Sequence, residues 1–411
     1  MTDNKLSHFG ANEDWGWHRQ NGLGRVINVS GTMTGLGASR AHPEVSAATA
    51  GSMGHFVRMH ELQARASATI AALTGAEAGC MTASASAGIS LCVAGCITGL
   101  DPARAEALPR RPGPKSEIVV QTGHLCGYGA PISTAIELAG GTVRQIGQST
   151  LAMDHQLRGA LGPDTAAALY VVSHHVVHYG QIPFPRFAEI CHEAGVPVIV
   201  DAASEYDLRG FLAQGADLAI YSAHKFLGGP TGGIIAGRRD LVRAAYLQNI
   251  GIGRGMKIGK ESIAGAIRAM ERWMTRDHAA IRAEERAALE LWQQKLAGIR
   301  GITPRIVPDP TGNPLDRLQV EVDPATAGTT AAAIARHLAG LDPAIIVCDH
   351  EVELNYFQLD PCNLAPDQAE IVGDTLSEVL RDAASIPSDP SDLDGPRNGG
   401  VSAYLNWLGQ A

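Results

Sequence analysis

Two chemically capable side chains stand at the ends of two apolar segments of this sequence. Asp201 lies in the run "PVIVDA" (197–202), and Lys225 follows the run "LAIYSA" (218–223) after one intervening histidine. A buried ammonium or carboxylate is costly unless it is paired or used. If the two runs are strands of one parallel sheet, their polar ends meet at the same edge. The pair would then place a nucleophilic amine beside a carboxylate.

This arrangement is the one that pyridoxal 5′-phosphate (PLP) requires. The lysine forms a Schiff base with the cofactor aldehyde, and the aspartate keeps the pyridine nitrogen protonated, so that the ring can accept carbanion electrons. A desolvated lysine beside other cations also has a lowered pKa, which favours the reactive amine form. We therefore expect PLP as the cofactor.

The cofactor phosphate needs an anion site, and residues 75–95, "GAEAGCMTASASAGISLCVAG", offer one. Small residues open into a helix there, and the first N–H groups of a helix, with the hydroxyls of Ser84 and Ser86, bind anions. By itself, a serine-rich helix start indicates only a good N-cap. Its position before a sheet that ends in Asp201 and Lys225 favours phosphate binding.

The elements that would position these residues alternate between strand and helix. Glycine-terminated helical patterns separate most of the β-rich runs, which are 117–122, 142–147, 168–173, 197–202, 218–223 and 232–237. Continuous apolar strands between helices are typical of a sheet buried on both faces. The predicted fold class is α/β, with a mainly parallel sheet covered by helices. The strand at 117–121 would deliver His124 to the same edge as Asp201 and Lys225.

The rest of the chain predicts a second, smaller domain. Residues 1–41 are an irregular lead-in, and 42–262 form the large domain, which opens with helices over 42–75 that end at Gly75. A long helix after Lys260 leads into a small α+β domain within 263–385, and 386–411 is expected to be a flexible tail. Glu351 and Glu353 alternate with apolar residues, which is typical of a solvated edge strand.

Composition excludes several classes of function. The 411 residues carry a formal net charge of −9, and no run of Lys or Arg makes a basic groove for nucleic acid. The polar N-terminal segment lacks the apolar core of a signal peptide, and no stretch reaches the length of a membrane span. We expect a cytoplasmic protein without a membrane or nucleic-acid partner.

Metal binding is not favoured. The seven cysteines are an odd number without C-x-x-C spacing, and several sit in apolar runs, which indicates buried thiols. His174, His175 and His178 in "SHHVVHYG" suit neither a helical pair nor a closed tetrahedral zinc site. His174, directly after its strand, is instead a candidate for contact with the cofactor or substrate.

The segments "SAHKFLGGPTGG", "VIVDAAS" and "RVINVSGTMTGLG" resemble fold type I PLP enzymes of the selenocysteine synthase-like group. That group includes seryl-tRNA selenium transferases and D-glucosaminate-6-phosphate ammonia lyases. The resemblance extends from about residue 24 to 385 and includes "GRGMKIGKE" (253–261). It implies the fold type I architecture and a homodimer or larger homo-oligomer with a shared active site.

The resemblance also implies roles for individual residues. Lys225 would bond the cofactor and move protons, Asp201 would face the pyridine nitrogen, and His124 would stack on the cofactor ring as a second catalytic residue. The remaining cofactor-binding candidates are Ala85, Ser86 and Ser222 for the phosphate, His224 beside the lysine, and Ser204 near the phenolic oxygen.

Substrate recognition departs from the common pattern of the fold type. Many relatives grip the substrate carboxylate with an arginine after a small-domain strand. This chain has "IIVCDH" (345–350) there, so Arg58 or Arg254 would have to substitute, or the substrate carries a cation. Arg254, Lys257 and Lys260 are either a solvated cationic turn or an anion contact reaching a partner's site.

The sequence thus predicts a PLP-dependent lyase acting on a small polar amino acid or amino sugar acid. It would abstract the α-proton, eliminate a β-group and release ammonia. An aminotransferase is the alternative within the enzymes. A non-catalytic binding protein that keeps the fold is the alternative outside them, although such a protein would not need both Lys225 and Asp201.

Overall fold

The computed structural model describes residues 15–409, except for the side chain of Asn398. Two compact units divide the chain. The larger one is Ser39–Arg276, and the smaller one combines the described residues before 39 with those after 276. Each unit has its own apolar core and is described separately.

Twelve strands occur in the described residues. They are β1 Val26–Val29, β2 Ala78–Thr82, β3 Glu117–Gln121, β4 Thr142–Ile146, β5 Thr165–Val171, β6 Val198–Asp201, β7 Leu218–Ser222, β8 Gly233–Gly237, β9 Ile302–Pro308, β10 Asp316–Val322, β11 Ala344–Val347 and β12 Tyr356–Leu359.

Sixteen α-helices occur in the same range. They are α1 Gly16–Gln20, α2 Pro43–Met53, α3 Met59–Thr74, α4 Ala85–Thr98, α5 Pro102–Ala107, α6 Ile132–Glu137, α7 Asp154–Ala160, α8 Phe184–Glu193, α9 Gly210–Ala213, α10 Arg239–Leu247, α11 Lys260–Thr275, α12 His278–Leu296, α13 Pro324–Ala327, α14 Ala331–Ala339, α15 Gln368–Arg381 and α16 Asp394–Asn406.

The larger unit is built on a seven-stranded sheet in the order β2-β8-β7-β6-β5-β3-β4. The strands from β7 through β4 in that order are parallel, as the sequence predicted. Alternate residues of β6 face opposite cores: Val198 and Val200 pack with Phe187 of α8, whereas Ile199 packs with Ile89 of α4. The sheet is therefore covered by helices on both faces, which explains the continuous apolar runs.

One strand departs from the parallel pattern. β8 runs antiparallel to both β7 and β2. Only residues 223–232 join β7 to β8, and a chain that short cannot cross the sheet to re-enter in parallel. The turn that it forms instead contains Lys225. The neighbouring strand β2 was not predicted, because its sequence "AGCMT" is made mostly of small residues.

The single long helix predicted after Lys260 is two helices, α11 and α12. Arg276 has an extended backbone conformation, and the Asp277 side chain caps α12 by accepting a hydrogen bond from the Ala280 N–H at 2.9 Å. Aspartate is a strong N-cap, so the new helix begins there instead of continuing the first. The division between the two units falls at the same position.

The smaller unit is α+β, as expected. Its three-stranded antiparallel sheet has the order β12-β10-β9, and β1 pairs in parallel with β11. Trp292 of α12 is fully buried in the core beside Leu318 and Phe357.

One local prediction in this unit is wrong. Glu353 lies on a 3-10 helix, Val352–Leu354, and not on an edge strand, because Asn355 turns the chain through a left-handed conformation before β12 begins. The segment 386–411, which was expected to be a flexible tail, contains α16 in its described part. The mobility of that segment stays a prediction.

The cysteines behave as small apolar residues. All seven are free, and Cys80, Cys92, Cys191 and Cys348 are buried. Burial raises the pKa of the Cys80 thiol to about 12, so it stays protonated. Within residues 15–409, the structure contains no helix long and apolar enough to span a membrane.

We predict opposite effects for two glycine-to-alanine changes in helices of the larger unit. A Cβ at Gly95 of α4 would lie 2.7 Å from the backbone nitrogen of Ala245, whereas one at Gly159 of α7 would meet nothing within 4 Å. Gly95→Ala should therefore destabilise the protein by about 1–3 kcal/mol through overpacking. Gly159→Ala should stabilise it by up to about 1 kcal/mol.

Thermal melts of the two variants beside the parent protein check this pair. An unchanged or raised melting temperature for Gly95→Ala would contradict the close contact between α4 and α10.

Candidate active site

Lys225 lies in the β7–β8 turn and is largely withdrawn from solvent. Its ammonium donates a hydrogen bond to the hydroxyl of Ser204, in the loop that follows β6. Burial lowers the pKa of Lys225, while the carboxylates of Asp201 and Glu205 act in the opposite direction. The net shift is downward, which brings the side chain nearer to the neutral amine that attacks a carbonyl.

The backbone around Lys225 is held by several hydrogen bonds. The Lys225 carbonyl accepts from Gly228 N–H at 2.9 Å, and the Ala223 carbonyl accepts from Gly229 N–H at 2.8 Å. The Ser39 hydroxyl donates to the carbonyl of His224 at 2.6 Å. A Cβ at position 229 would lie 2.7 Å from the Ala223 oxygen, so this turn requires glycine. The lysine is thus presented by a defined turn.

Asp201 is the last residue of β6, the strand next to β7, and is only 8% exposed. Its carboxylate accepts a hydrogen bond from the Ala203 N–H at 3.2 Å. Burial raises the pKa of Asp201 to about 6, even though nearby Lys225 favours the charged form. A carboxylate held in such surroundings is suited to a cationic hydrogen-bond partner.

His124 ends the 3-10 helix that follows β3 and is 2% exposed. Its Nδ1 accepts a hydrogen bond from Val171 N–H at 3.2 Å, which leaves Nε2 to carry the proton. The ring packs edge-on against Tyr170 with 4.5 Å between centroids. Burial, with a smaller effect from His178, lowers the pKa of His124 to about 4. The imidazole is therefore neutral at physiological pH.

The start of α4 forms the candidate anion site. Ser84 caps this helix, accepting a hydrogen bond from Ala87 N–H at 3.0 Å, and Ala85 and Ser86 form its first turn. A Cβ at Gly233 would lie 2.2 Å from the Ser84 oxygen, so the backbone of β8 closely approaches this turn. The first N–H groups of a helix have no acceptor within the helix, and those that the Ser84 cap does not bind are suited to an anion.

Strand register brings the lysine turn and the helix start together. Gly233 of β8 pairs with Ser222 on one side and with Thr82 on the other. Ser222, which is 5% exposed, lies within hydrogen-bond distance of His224, with 3.1 Å between Oγ and Nδ1. Burial, with a smaller effect from Lys225, lowers the pKa of His224. Ser222 of β7 and Thr82 of β2 thus lie on either side of Gly233, and Thr82 leads into α4.

The candidate substrate residues are more dispersed. Arg58 is exposed at the start of α3 and pairs with Glu61 at 3.1 Å. Arg254 is exposed on the 3-10 helix Ile252–Met256. The Met256 carbonyl accepts hydrogen bonds from Ala83 N–H at 3.2 Å and Thr82 Oγ1 at 3.0 Å, so this segment borders the approach to α4.

His174 follows β5 and lies beside His175, with 4.2 Å between ring centroids. It occupies the carboxyl edge of the sheet, because β5 pairs with β6 in parallel. Its contact with a cofactor or substrate stays a prediction, as do those of Arg58 and Arg254.

Two neighbours of the site, Tyr128 and Ser39, were not predicted from the sequence. The hydroxyl of Tyr128 lies 2.9 Å from that of Ser86, and Ser39 secures the turn at His224. Both contacts join segments far apart in the chain, and neither residue belongs to a recognisable pattern. Only the position of Tyr128, four residues after a strand-end histidine, hinted at a place near the site.

Known proteins resemble this chain over most of its length. The family model of L-seryl-tRNA selenium transferase (SelA) matches residues 26–351. A D-glucosaminate-6-phosphate ammonia lyase of Salmonella typhimurium (strain 14028s / SGSC 2262) is 37% identical over 367 residues, covering 89% of this chain and 98% of that protein. A 5′-C-glycyluridine monooxygenase-decarboxylase of Streptomyces sp is also 37% identical, covering 90% of this chain and 94% of that protein.

Solved structures agree on the architecture. A structure of D-glucosaminate-6-phosphate ammonia-lyase superposes with a TM-score of 0.81 at 37% identity, covering 90% of this chain and 99% of that one. A structure of serine palmitoyltransferase (SPT) with PLP has a TM-score of 0.56 at 16% identity, with 88% of each chain covered, and shares the fold alone. Fold type I and the mainly parallel sheet are thereby confirmed. The chain belongs to the SelA family of fold type I proteins.

Proposed function

We propose that this protein is a PLP-dependent lyase that releases ammonia from a small amino sugar acid. The observation that carries the proposal is the partly buried Lys225 in the turn after β7, near the buried Asp201 at the end of β6. The match to D-glucosaminate-6-phosphate ammonia lyase over nearly the full length of that relative supports this reaction and substrate class.

The described residues fit PLP. Lys225 supplies the amine, and Asp201 supplies a buried carboxylate. The first turn of α4 supplies N–H donors, and Gly233 of β8 packs closely against that turn because it has no side chain. The residues that would hold the cofactor are Lys225, Asp201, His124, Ala85, Ser86, Ser222, His224 and Ser204. When bound, PLP supplies an aldehyde for amines and a ring that stabilises negative charge on the substrate α-carbon.

Lys225 is proposed to bond the cofactor and, once released by the incoming substrate amine, to move the α-proton. Its lowered pKa increases the fraction of neutral amine that can accept a proton. The hydrogen bond to Ser204 limits the positions that the ammonium occupies. Proton transfer from the α-carbon and departure of a β-group would leave an unsaturated amine, which hydrolyses to a 2-oxo acid and ammonia.

Asp201 is proposed to hold a proton on the cofactor ring nitrogen. A buried carboxylate whose pKa is raised by burial gains most from a cationic partner, because that partner removes the cost of an isolated charge. His124, neutral and fixed through its Nδ1 hydrogen bond, is proposed to stack on the cofactor ring without adding positive charge.

The oligomeric state and location are also proposals. A homodimer or larger homo-oligomer with a shared active site would give the exposed Arg58 and Arg254 a role on a partner's substrate. The net charge of −9 supports a small-molecule substrate over nucleic acid, and the composition supports a cytoplasmic location.

Oxidative decarboxylation is a second candidate, favoured by the equal identity to the Streptomyces monooxygenase-decarboxylase. The two reactions differ in their products. An ammonia lyase releases ammonia and a 2-oxo acid without oxygen, whereas a monooxygenase-decarboxylase consumes oxygen and releases carbon dioxide.

We predict that the PLP-loaded protein releases ammonia and a 2-oxo acid in equal amounts from D-glucosaminate 6-phosphate or a related amino sugar acid. The release should continue under anaerobic conditions. Lys225→Ala should lower the rate by at least about a thousandfold, because both the bond to the cofactor and the proton carrier are lost.

Lys115→Ala, which removes an exposed lysine from the same unit, is the matched control and should keep the parent rate. Oxygen-dependent release of carbon dioxide would favour the second candidate. A parent rate for Lys225→Ala would refute the proposed function.

The raised pKa of Asp201 predicts that this residue lowers the free energy of unfolding of the cofactor-free protein as pH rises. The carboxyl group titrates near 3.8 when unfolded and at about 6 when folded, so the unfolded chain loses this proton first as pH rises. The folded state is penalised progressively between these values and fully above 6. The penalty above pH 6 is about 3 kcal/mol.

Asp201→Asn should therefore raise the melting temperature of the cofactor-free protein at pH 8 and change it little at pH 4, while weakening PLP binding. Melts across this pH range test the sign. A variant that is less stable than the parent at pH 8 would contradict the burial cost assigned to Asp201.

A further inference from the structure

The hydroxyl of Tyr128 lies at the start of α4, although Tyr128 itself belongs to the connection between β3 and α6. Its oxygen is 2.9 Å from Oγ of Ser86, in the first turn of that helix. Tyr128 is partly buried, and the nearby Asp201 carboxylate contributes to raising its pKa. The Tyr128 phenol therefore contacts Ser86 in the candidate anion site and lies close enough to Asp201 to interact with its charge.

The loop that carries Tyr128 is well held. The Cys126 N–H donates to the His124 carbonyl at 2.9 Å, and the Ile132 N–H donates to the Cys126 carbonyl at 3.1 Å. A backbone bridge also joins Gly127 to Pro131. These hydrogen bonds connect the loop to His124 and to the start of α6. They therefore hold the backbone on both sides of Tyr128 in a defined position.

Helix α6 is fastened to α4 independently of the tyrosine. The Ser90 hydroxyl, one turn along α4 from Ser86, donates to the Ala135 carbonyl at 2.7 Å, and both residues are buried. Since the two helices are already joined there, the Tyr128–Ser86 contact is not needed to hold them together. A second hydroxyl at the helix start instead suits a ligand that accepts several hydrogen bonds.

The chemistry of the two hydroxyls fits a phosphate. Each hydroxyl has one proton to donate, and a phosphate dianion offers three acceptor oxygens. With the anion in place, Tyr128 and Ser86 can donate to different oxygens or in series, one through the other. Burial raises the pKa of Tyr128, so the phenol stays a donor and adds no negative charge beside the phosphate.

We propose that Tyr128 is a phosphate-binding residue of the PLP site, acting together with Ser86 at the first turn of α4. This inference rests on the proposed function, because it takes PLP as the ligand. It adds a donor from a chain segment that no sequence pattern connected with the phosphate.

The test compares PLP with pyridoxal, which lacks the phosphate, using equilibrium binding to the cofactor-free full-length protein. Tyr128→Phe removes only the hydroxyl and should raise the Kd for PLP by about ten- to a hundredfold. The Kd for pyridoxal should change by less than about twofold. Ser86→Ala should show the same selective loss, and the double variant should lose less than the product of the two, because the hydroxyls act as a unit.

Tyr246→Phe is the matched control, since Tyr246 is a partly buried tyrosine of the same unit on α10. It should bind both ligands as the parent does. An unchanged Kd for PLP in Tyr128→Phe, or an equal loss for PLP and pyridoxal, would overturn the role of Tyr128 and leave the proposed function standing. A parent protein that binds neither ligand would overturn the proposed function and this inference with it.

Discussion

The proposed active site depends on the placement of the partly buried Lys225 ammonium near the buried Asp201 carboxylate. Each charge alone would be costly at its position, and burial shifts the pKa of both groups toward their neutral forms. Their mutual attraction offsets only part of that cost. A site that remains unfavourable in the absence of a ligand is characteristic of function, since stability alone would favour apolar residues there.

The sheet brings the other residues of the proposed site to the same edge as Asp201 and Lys225. Parallel β6 and β7 place Asp201 and the lysine turn at one edge, and the short return into β8 makes that strand antiparallel. The return places Gly233 between Ser222 and Thr82, directly against the start of α4. The odd strand direction is thus the feature that joins the lysine turn to the anion site.

Much of this could be predicted from the sequence, for identifiable reasons. Asp201 and Lys225 follow long apolar runs, so their place at strand ends is a direct consequence of burial patterns. The end of α3 at Gly75 also follows from local chemistry, because glycine adopts the left-handed conformation there, with φ 78°. The break between α11 and α12 could have been predicted from Asp277, because an aspartate before an alanine-rich segment is typical of a helix start. The continuous pattern of charge pairs instead favoured a single long helix.

The contacts of Tyr128 and Ser39 could not be predicted, because they depend on how distant segments meet. Tyr128 is 42 residues from Ser86, and Ser39 is 185 residues from His224. No periodicity or local motif encodes such a pairing. The weak strand signal of β2 has a different origin, since Gly79 in this strand leaves room for the close approach of Ile70 of α3, and glycine has a low strand propensity.

Two relatives at equal identity carry names for different reactions, so the account is tested most directly at the residue that both proposed chemistries would use. The measurement is borohydride reduction of the PLP-loaded protein followed by peptide mass spectrometry. The account predicts that the cofactor becomes attached at Lys225 alone. Attachment at Lys257, Lys260 or another lysine, or no attachment at all, would contradict it.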